Sequence, residues 1–166
     1  MGRVMNSSQL ITVFMAFSTL IAAIISGIIS FLVCRWQLSR QNISSEKARL
    51  NSELTNILKI QIKYPYLENK QFANDWNSKK IVRNDEEWLA YQRYDSYCCL
   101  LFNFINQIYE LYNGNNDQIE NFFAVEEEIN IHNKWWQNPL NPRDNIEGYA
   151  GCFRDYVNSI IARIVK

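Results

Sequence analysis

A run of 25 residues without a charged side chain, from Leu10 to Cys34, constrains this chain more than any other feature. As a helix rising about 1.5 Å per residue, the run is about 37 Å long, whereas the hydrocarbon core of a bilayer is about 30 Å thick. The sequence therefore predicts a helix that spans a membrane. The run is too long for the apolar part of a signal peptide, and no A-x-A cleavage motif follows it.

This apolar run has two different faces. Small and hydroxyl-bearing residues recur every three or four positions on one face, and bulky apolar residues recur with the same spacing on the other. A helix that only anchors a protein is surrounded by lipid and has no need of this division. The candidate pore-lining or helix-packing residues are Thr12, Ala16, Thr19, Ala23, Ser26 and Ser30, and the bulky residues are Phe14, Phe17, Ile21, Ile24, Ile28 and Phe31.

Three interpretations of the small face compete. In the first it is chance, since small residues are common in membrane helices. In the second it packs against another copy of the helix, with hydrogen bonds between hydroxyl groups worth about 0.6–2 kcal/mol each. In the third, several copies surround an axis, and the hydroxyl groups replace part of the hydration shell of a passing ion. We predict self-association, of which a homo-oligomeric ion channel or pore is the more specific form.

Positive charge lies mainly on the C-terminal side of the apolar run. Arg3 and the terminal amine precede it, whereas Arg35, Arg40, Lys47 and Arg49 follow it. The positive-inside rule then predicts a single-pass protein with its N-terminus outside and its C-terminal part in the cytoplasm. The heavy use of asparagine is typical of an AT-rich bacterial gene, so the predicted location is a bacterial inner membrane.

The predicted fold is all-α. Residues 1–34 form a transmembrane helix with a short outer tail, residues 35–64 a basic juxtamembrane stalk helix, and residues 65–166 a small cytoplasmic domain of about four helices. Pro65 is expected to end the stalk because proline breaks a helix. The stalk carries apolar residues at heptad-like spacing, which would let it continue a bundle formed in the membrane. These residues are Ile43, Leu50, Leu54 and Ile57.

Capping residues and the three-and-four rhythm of apolar residues predict three further helices. The first begins at residue 84 or 85 and ends at the Asn113–Asn116 turn. The second runs from residue 116 or 117 to about Ile131, and the third opens at residue 144 or 145 after two prolines. A polar loop with one or two helical turns is expected over residues 68–84.

Charge is unevenly distributed along the soluble part. Residues 35–83 contain ten Lys and Arg against four Asp and Glu, whereas residues 84–132 contain one Arg against ten Asp and Glu. The basic stretch is a solvated face, a contact for anionic lipid headgroups, or a site for a nucleotide or single-stranded nucleic acid that uses the interleaved aromatic rings. The candidate contacts are Lys59, Lys63, Trp76, Lys79, Lys80 and Arg83.

Residues for catalysis or cofactor binding are scarce. The one histidine, His132, has no second histidine or cysteine at metal-ligand spacing, which favours a structural or interface role. Glu126, Glu127 and Glu128 are consecutive, so they point in different directions and are interpreted as a solvated face. The four cysteines form no CxxC pair and are expected to be reduced. The sequence therefore predicts a non-enzyme that binds no metal and no cofactor.

The layout resembles that of single-pass effectors of bacterial antiphage defence. In particular, it is similar to the channel subunit of Hailong-type systems. The likeness is one of architecture along the whole chain: the Thr12–Ser30 stripe, the basic stalk after Arg35 and the helical domain that contains Trp135 and Trp136. It implies a toxic homo-oligomeric channel whose opening is controlled by a cytoplasmic nucleic-acid signal. The alternative from the residues alone is a membrane-tethered adaptor that docks a cytoplasmic protein without forming a pore.

Overall fold

A computed structural model describes residues 7–77, 86–141, 143 and 147–164, and these contain helices but no strand. The all-α fold with one long N-terminal helix is thereby confirmed. A single turn of 3-10 helix, Pro65–Glu68, follows that first helix. The α-helices are α1 (Ser7–Lys63), α2 (Lys70–Asn74), α3 (Glu86–Leu111), α4 (Asn116–Phe122), α5 (Val125–Gln137) and α6 (Gly151–Ile164).

The chain divides into two compact units, residues 1–45 and residues 46–166, and the long helix α1 contributes residues to both. In the first unit the bulky apolar side chains are exposed, with Phe17 at 62%, Ile24 at 54% and Phe31 at 64%. Among the described residues, α1 is the one helix that is long and apolar enough to cross a membrane. An apolar surface of this size requires lipid or a protein partner to cover it.

The end of α1 follows the expected chemistry. Pro65 opens the 3-10 turn directly after the last helical residue, Lys63, so the predicted stop at this proline is confirmed. Asn69 then caps α2, because its side-chain oxygen accepts hydrogen bonds from the backbone N–H groups of Gln71 and Phe72 at 2.9 and 3.1 Å. The expected loop over residues 68–84 thus contains one short helix within its described part.

The second half of α1 packs against α3 within the 46–166 unit. Arg49 donates to Gln107 at 2.5 Å, and Gln61 donates to Tyr97 at 2.8 Å. Because the earlier residue on α1 meets the later one on α3, the two helices run antiparallel. This contradicts the predicted intermolecular bundle for two of the heptad-spaced stalk residues, because Leu50 and Ile57 are 0% and 1% exposed in the core of their own chain. Ile43, nearer the apolar run, is 48% exposed.

The core of this unit is aromatic and centres on α5. Trp135 is stacked on Phe102 with ring centroids 5.4 Å apart, and Trp136 contacts the same ring at 4.8 Å. Both tryptophan N–H groups are satisfied, since Trp135 donates to Asp95 at 2.7 Å and Trp136 donates to Asn158 at 3.0 Å. Buried rings with paired polar edges fix α3, α5 and α6 around one core.

The structure corrects the predicted helix from residue 116 to Ile131. Two helices, α4 and α5, occupy that range, because Phe123 is extended (φ −155°, ψ 140°) and Ala124 is not helical. The Phe123 ring packs on Phe104 at 5.3 Å. Glu120 then accepts a hydrogen bond from the backbone N–H of Glu126 at 2.9 Å, which satisfies one of the donors at the start of α5.

The remaining boundaries are partly confirmed. The turn after α3 is present, with positive φ angles of 49° at Asn113 and 71° at Gly114. The last helix begins at Gly151, later than the predicted start at residue 144 or 145, because residues 147–150 are not helical. The predicted starts at residues 84–85 and 144–145 themselves lie outside the described residues.

Candidate functional site

The predicted hydroxyl stripe lies on the first half of α1. Thr19, Ala23, Ser26 and Ser30 are exposed there, while the side chains of Thr12 and Ala16 lie outside the described part. The Thr19 hydroxyl donates to the Met15 carbonyl at 3.1 Å, as does the neighbouring Ser18 at 2.9 Å. Satisfying a hydroxyl proton inside its own helix lowers the cost of placing that group in a bilayer. Whether the stripe lines a pore or a packing seam stays a prediction.

Two of the predicted basic contacts lie in the described part of the chain. Lys59 and Lys63 are exposed near the end of α1, whereas Lys79, Lys80 and Arg83 lie outside the described residues. Trp76 requires a correction, because it is 5% exposed and packs against Tyr91 and Tyr94 in the core. Its indole N–H donates to the Asn138 carbonyl at 2.9 Å. The ring is therefore a core group and offers no face to a stacked base.

A groove of about 520 Å³ opens between the end of α1, the 3-10 turn and α3. Two cations meet at Tyr64 on its rim: Lys63 Nζ lies 5.1 Å and the Arg93 guanidinium 5.0 Å from the ring centroid. Arg93 was missed in the sequence because it stands alone in an acidic stretch. The lining is mainly apolar and comprises Ile60, Tyr64, Leu67, Leu89, Gln92, Arg93, Ser96, Tyr97 and Leu100.

A second feature is a buried cluster of two carboxylates and one imidazole. His132 on α5 is 0% exposed, and its Nε2 lies 3.5 Å from Glu68 Oε1 and 3.7 Å from Glu128 Oε2. Its other nitrogen, Nδ1, is 2.9 Å from the Tyr94 hydroxyl. Glu68 Oε1 accepts hydrogen bonds from Tyr97 and, at 3.0 Å, from Gln61. His132 Nε2 and Glu128 Oε2 have no hydrogen-bond partner.

The two carboxyl groups of this cluster have pKa values that are shifted in opposite directions. Burial, followed by the charge of Glu68, raises the pKa of Glu128 to about 8. Burial also acts to raise the pKa of Glu68, but the His132 imidazole and the Tyr97 and Gln61 hydrogen bonds outweigh it and lower that pKa. These opposite pKa shifts favour an ionised Glu68 beside a protonated Glu128.

This cluster was not predicted from the sequence. Glu128 was interpreted as part of a solvated face with Glu126 and Glu127, but its side chain is only 15% exposed and turns inward. The sequence feature that could have revealed part of the cluster is the four-residue spacing of Glu128 and His132, which puts both on one face of α5. No sequence pattern links Glu68 to the cluster, because it lies 60 residues before Glu128 in the chain and reaches the cluster only through packing. Cys98 nearby is free and buried, and burial raises the pKa of its thiol.

Comparison with known proteins places the chain in no established family. No protein-family model, no curated protein and no solved structure matches it.

Proposed function

We propose that this chain is a single-pass membrane protein that self-associates through the small face of α1 and forms an ion-conducting pore. The observation that carries the proposal is the two-sided exposed helix. Bulky residues such as Ile21 and Ile28 are 54% and 55% exposed on one side, and Thr19 and Ser26 lie on the other. Lipid suits the bulky side, whereas hydroxyl groups gain from contact with another helix or with ions.

The flanking groups support one orientation. Arg40 lies 4.2 Å over the Trp36 ring just after the apolar segment, a pairing suited to the headgroup region. With the basic flank in the cytoplasm, the N-terminus lies outside a bacterial inner membrane and the 46–166 unit lies inside. The architectural likeness to Hailong-type channel subunits extends the proposal to a toxic effector in antiphage defence.

The groove beside Tyr64 supplies a candidate site for the signal that opens or closes the pore. Its floor is apolar, and the cations Lys63 and Arg93 meet at its rim. An anion with an aromatic body fits this combination, with its rings on the apolar floor and its phosphates at the rim. A nucleotide or a single-stranded nucleic acid has this chemistry.

Replacement of Thr19 and Ser26 by leucine tests the pore. We expect the double variant to insert into membranes as the wild type does, because leucine is more apolar, and to lose ion flux in liposomes because the hydroxyl groups are gone. The matched control is Ile21→Leu with Ile24→Leu, two substitutions to leucine on the bulky face, which should conduct normally. A monomeric mass in detergent, or full flux in the Thr19→Leu, Ser26→Leu variant, would exclude the proposed pore.

A second candidate function is a membrane-tethered adaptor. The same groove favours it, because Leu89 and Leu100 at its lining remain 45% and 41% exposed and would suit the apolar face of a partner helix. Replacing residues 10–34 with an unrelated anchor separates the two functions. An adaptor keeps its activity after this exchange, whereas a pore built from α1 loses it.

Neutralising the rim cations tests the signal site. We expect Lys63→Gln with Arg93→Gln to weaken binding of a short single-stranded oligonucleotide at least about 10-fold, because charge-assisted hydrogen bonds contribute about 1.5–3 kcal/mol each. Fluorescence anisotropy of a labelled oligonucleotide with the full chain in detergent measures this affinity. Arg143→Gln, an exposed cation outside the groove lining, is the control. Equal binding by all three proteins would rule out the groove as the site.

A further inference from the structure

We propose that Glu68, Glu128 and His132 form a binding site for a divalent transition-metal ion of the Zn²⁺ class. One potential ligand atom from each of the three side chains lies within 4.8 Å of the other two. The site belongs to the 46–166 unit and does not depend on the proposed pore. Its function would be separate from those proposed for the membrane helix and the groove.

The separations fit a metal better than they fit direct hydrogen bonds. His132 Nε2 lies 3.5 and 3.7 Å from the two carboxylate oxygens, beyond the usual 2.7–3.2 Å range of an N–H···O hydrogen bond. Ligands placed tetrahedrally at about 2.1 Å from Zn²⁺ are about 3.4 Å apart. A single ion between these atoms therefore needs only small side-chain movements.

The unpaired atoms point to the same conclusion. His132 is fully buried, yet its Nε2 has no hydrogen-bond partner, and neither has Glu128 Oε2, which faces it. Buried polar groups are normally satisfied, and each exception requires an explanation. A divalent cation would satisfy both atoms and would balance the charge of both carboxylates once Glu128 releases its proton.

The surroundings would orient the ligands. The Tyr94 hydroxyl lies 2.9 Å from His132 Nδ1 and would accept a hydrogen bond from the Nδ1–H group when Nε2 binds the metal, which fixes the tautomer. Tyr97 and Gln61 hold the Glu68 carboxylate in place. The Glu68 side chain is 26% exposed, so the site can be reached from solvent on that side.

The ligand types select among cations. One imidazole and two carboxylates suit Zn²⁺, whereas Mg²⁺ and Ca²⁺ prefer oxygen ligands alone. Because Glu68 ends the turn after α1 and the other two ligands lie on α5, a bound ion would tie that turn to α5.

The test uses the full chain in detergent, stripped with EDTA and titrated with Zn²⁺ against a chromogenic chelator. We expect one ion per chain and a melting temperature that rises with Zn²⁺ concentration. Glu128→Gln and His132→Gln should each weaken binding more than about 100-fold, beyond the 10–100-fold typical of an outer-shell partner. Glu127→Gln, the same change at an exposed neighbouring position, should bind as the wild type does.

Three outcomes would overturn the site. One is a wild-type chain that takes up no stoichiometric Zn²⁺, a result that does not depend on whether any variant folds. The second is a Glu128→Gln protein, folded by circular dichroism, that retains wild-type affinity. The third is Mg²⁺ bound as tightly as Zn²⁺. A chain that binds Zn²⁺ but conducts no ions would reject the pore alone, so the two proposals fail separately.

Discussion

Replacement of Trp135 by alanine is expected to lower the free energy of unfolding of the 46–166 unit by about 3–5 kcal/mol. The side chain is 0% exposed and stacked on Phe102, so its removal leaves a cavity that the surrounding rings cannot fill. The change also removes the N–H that donates to the Asp95 carboxylate at 2.7 Å. Urea unfolding of the full chain in detergent, followed by the fluorescence of the remaining tryptophans, measures the loss.

The matched control is Trp36→Ala. This tryptophan is 56% exposed on α1 and lies outside the aromatic core, so its removal should change the unfolding free energy by less than about 0.5 kcal/mol. Equal effects of the two substitutions would contradict the assignment of Trp135 to the centre of the core.

The second large effect is expected at Glu128. In the presence of a chelator, Glu128→Gln should stabilise the protein at pH 8 by up to about 4 kcal/mol relative to the wild type. The folded state holds the proton of Glu128 up to a pKa of about 8, whereas the unfolded chain releases it near the ordinary value of 4.5. Stability from this group is therefore complete below pH 4.5 and falls as the pH rises to about 8. Glutamine keeps the neutral form and removes this loss.

The difference between variant and wild type reports Glu128 together with its interaction with Glu68, because the charge of Glu68 is one cause of the raised pKa of Glu128. Glu68 acts in the opposite sense, since its lowered pKa stabilises the fold above its ordinary value and this contribution is lost in acid. Thermal melts at pH 5, 6, 7 and 8 should show a gap that widens with pH. A constant gap would show that the Glu128 carboxyl ionises normally in the folded state.

Saturating Zn²⁺ should reverse the sign of this effect. The metal-loaded wild type gains stability from an ionised Glu128, and the glutamine variant cannot supply that carboxylate. Glu128→Gln should then be less stable than the wild type at pH 8. The reversal distinguishes a metal site from a pair of carboxyl groups that only share a proton.

Much of the fold could be predicted from the sequence because helix formation depends on residues that are close together in the chain. The rhythm of apolar residues and the Asn113–Gly114 turn located α3, and Pro65 located the end of α1. The break between α4 and α5 at Phe123 is marked by no proline or glycine in the sequence. It accompanies the packing of the Phe123 ring on Phe104, a contact that the sequence does not show. The heptad-spaced apolar residues of the stalk were identified from the sequence, but the sequence cannot show whether Leu50 contacts another chain or the core of its own chain.

The helical class, the charge-free segment of α1 and the two faces of that segment follow from the order of the residues, because each depends on residues a few positions apart. The burial of Trp76 in the core and the meeting of Glu68 with Glu128 and His132 emerge only when the helices pack together. Glu68 lies 60 positions or more before Glu128 and His132 in the chain, and their proximity depends on how the 3-10 turn packs against α5. Local spacing can place a side chain on a helix face, but the partner of that face is fixed by packing of the whole unit.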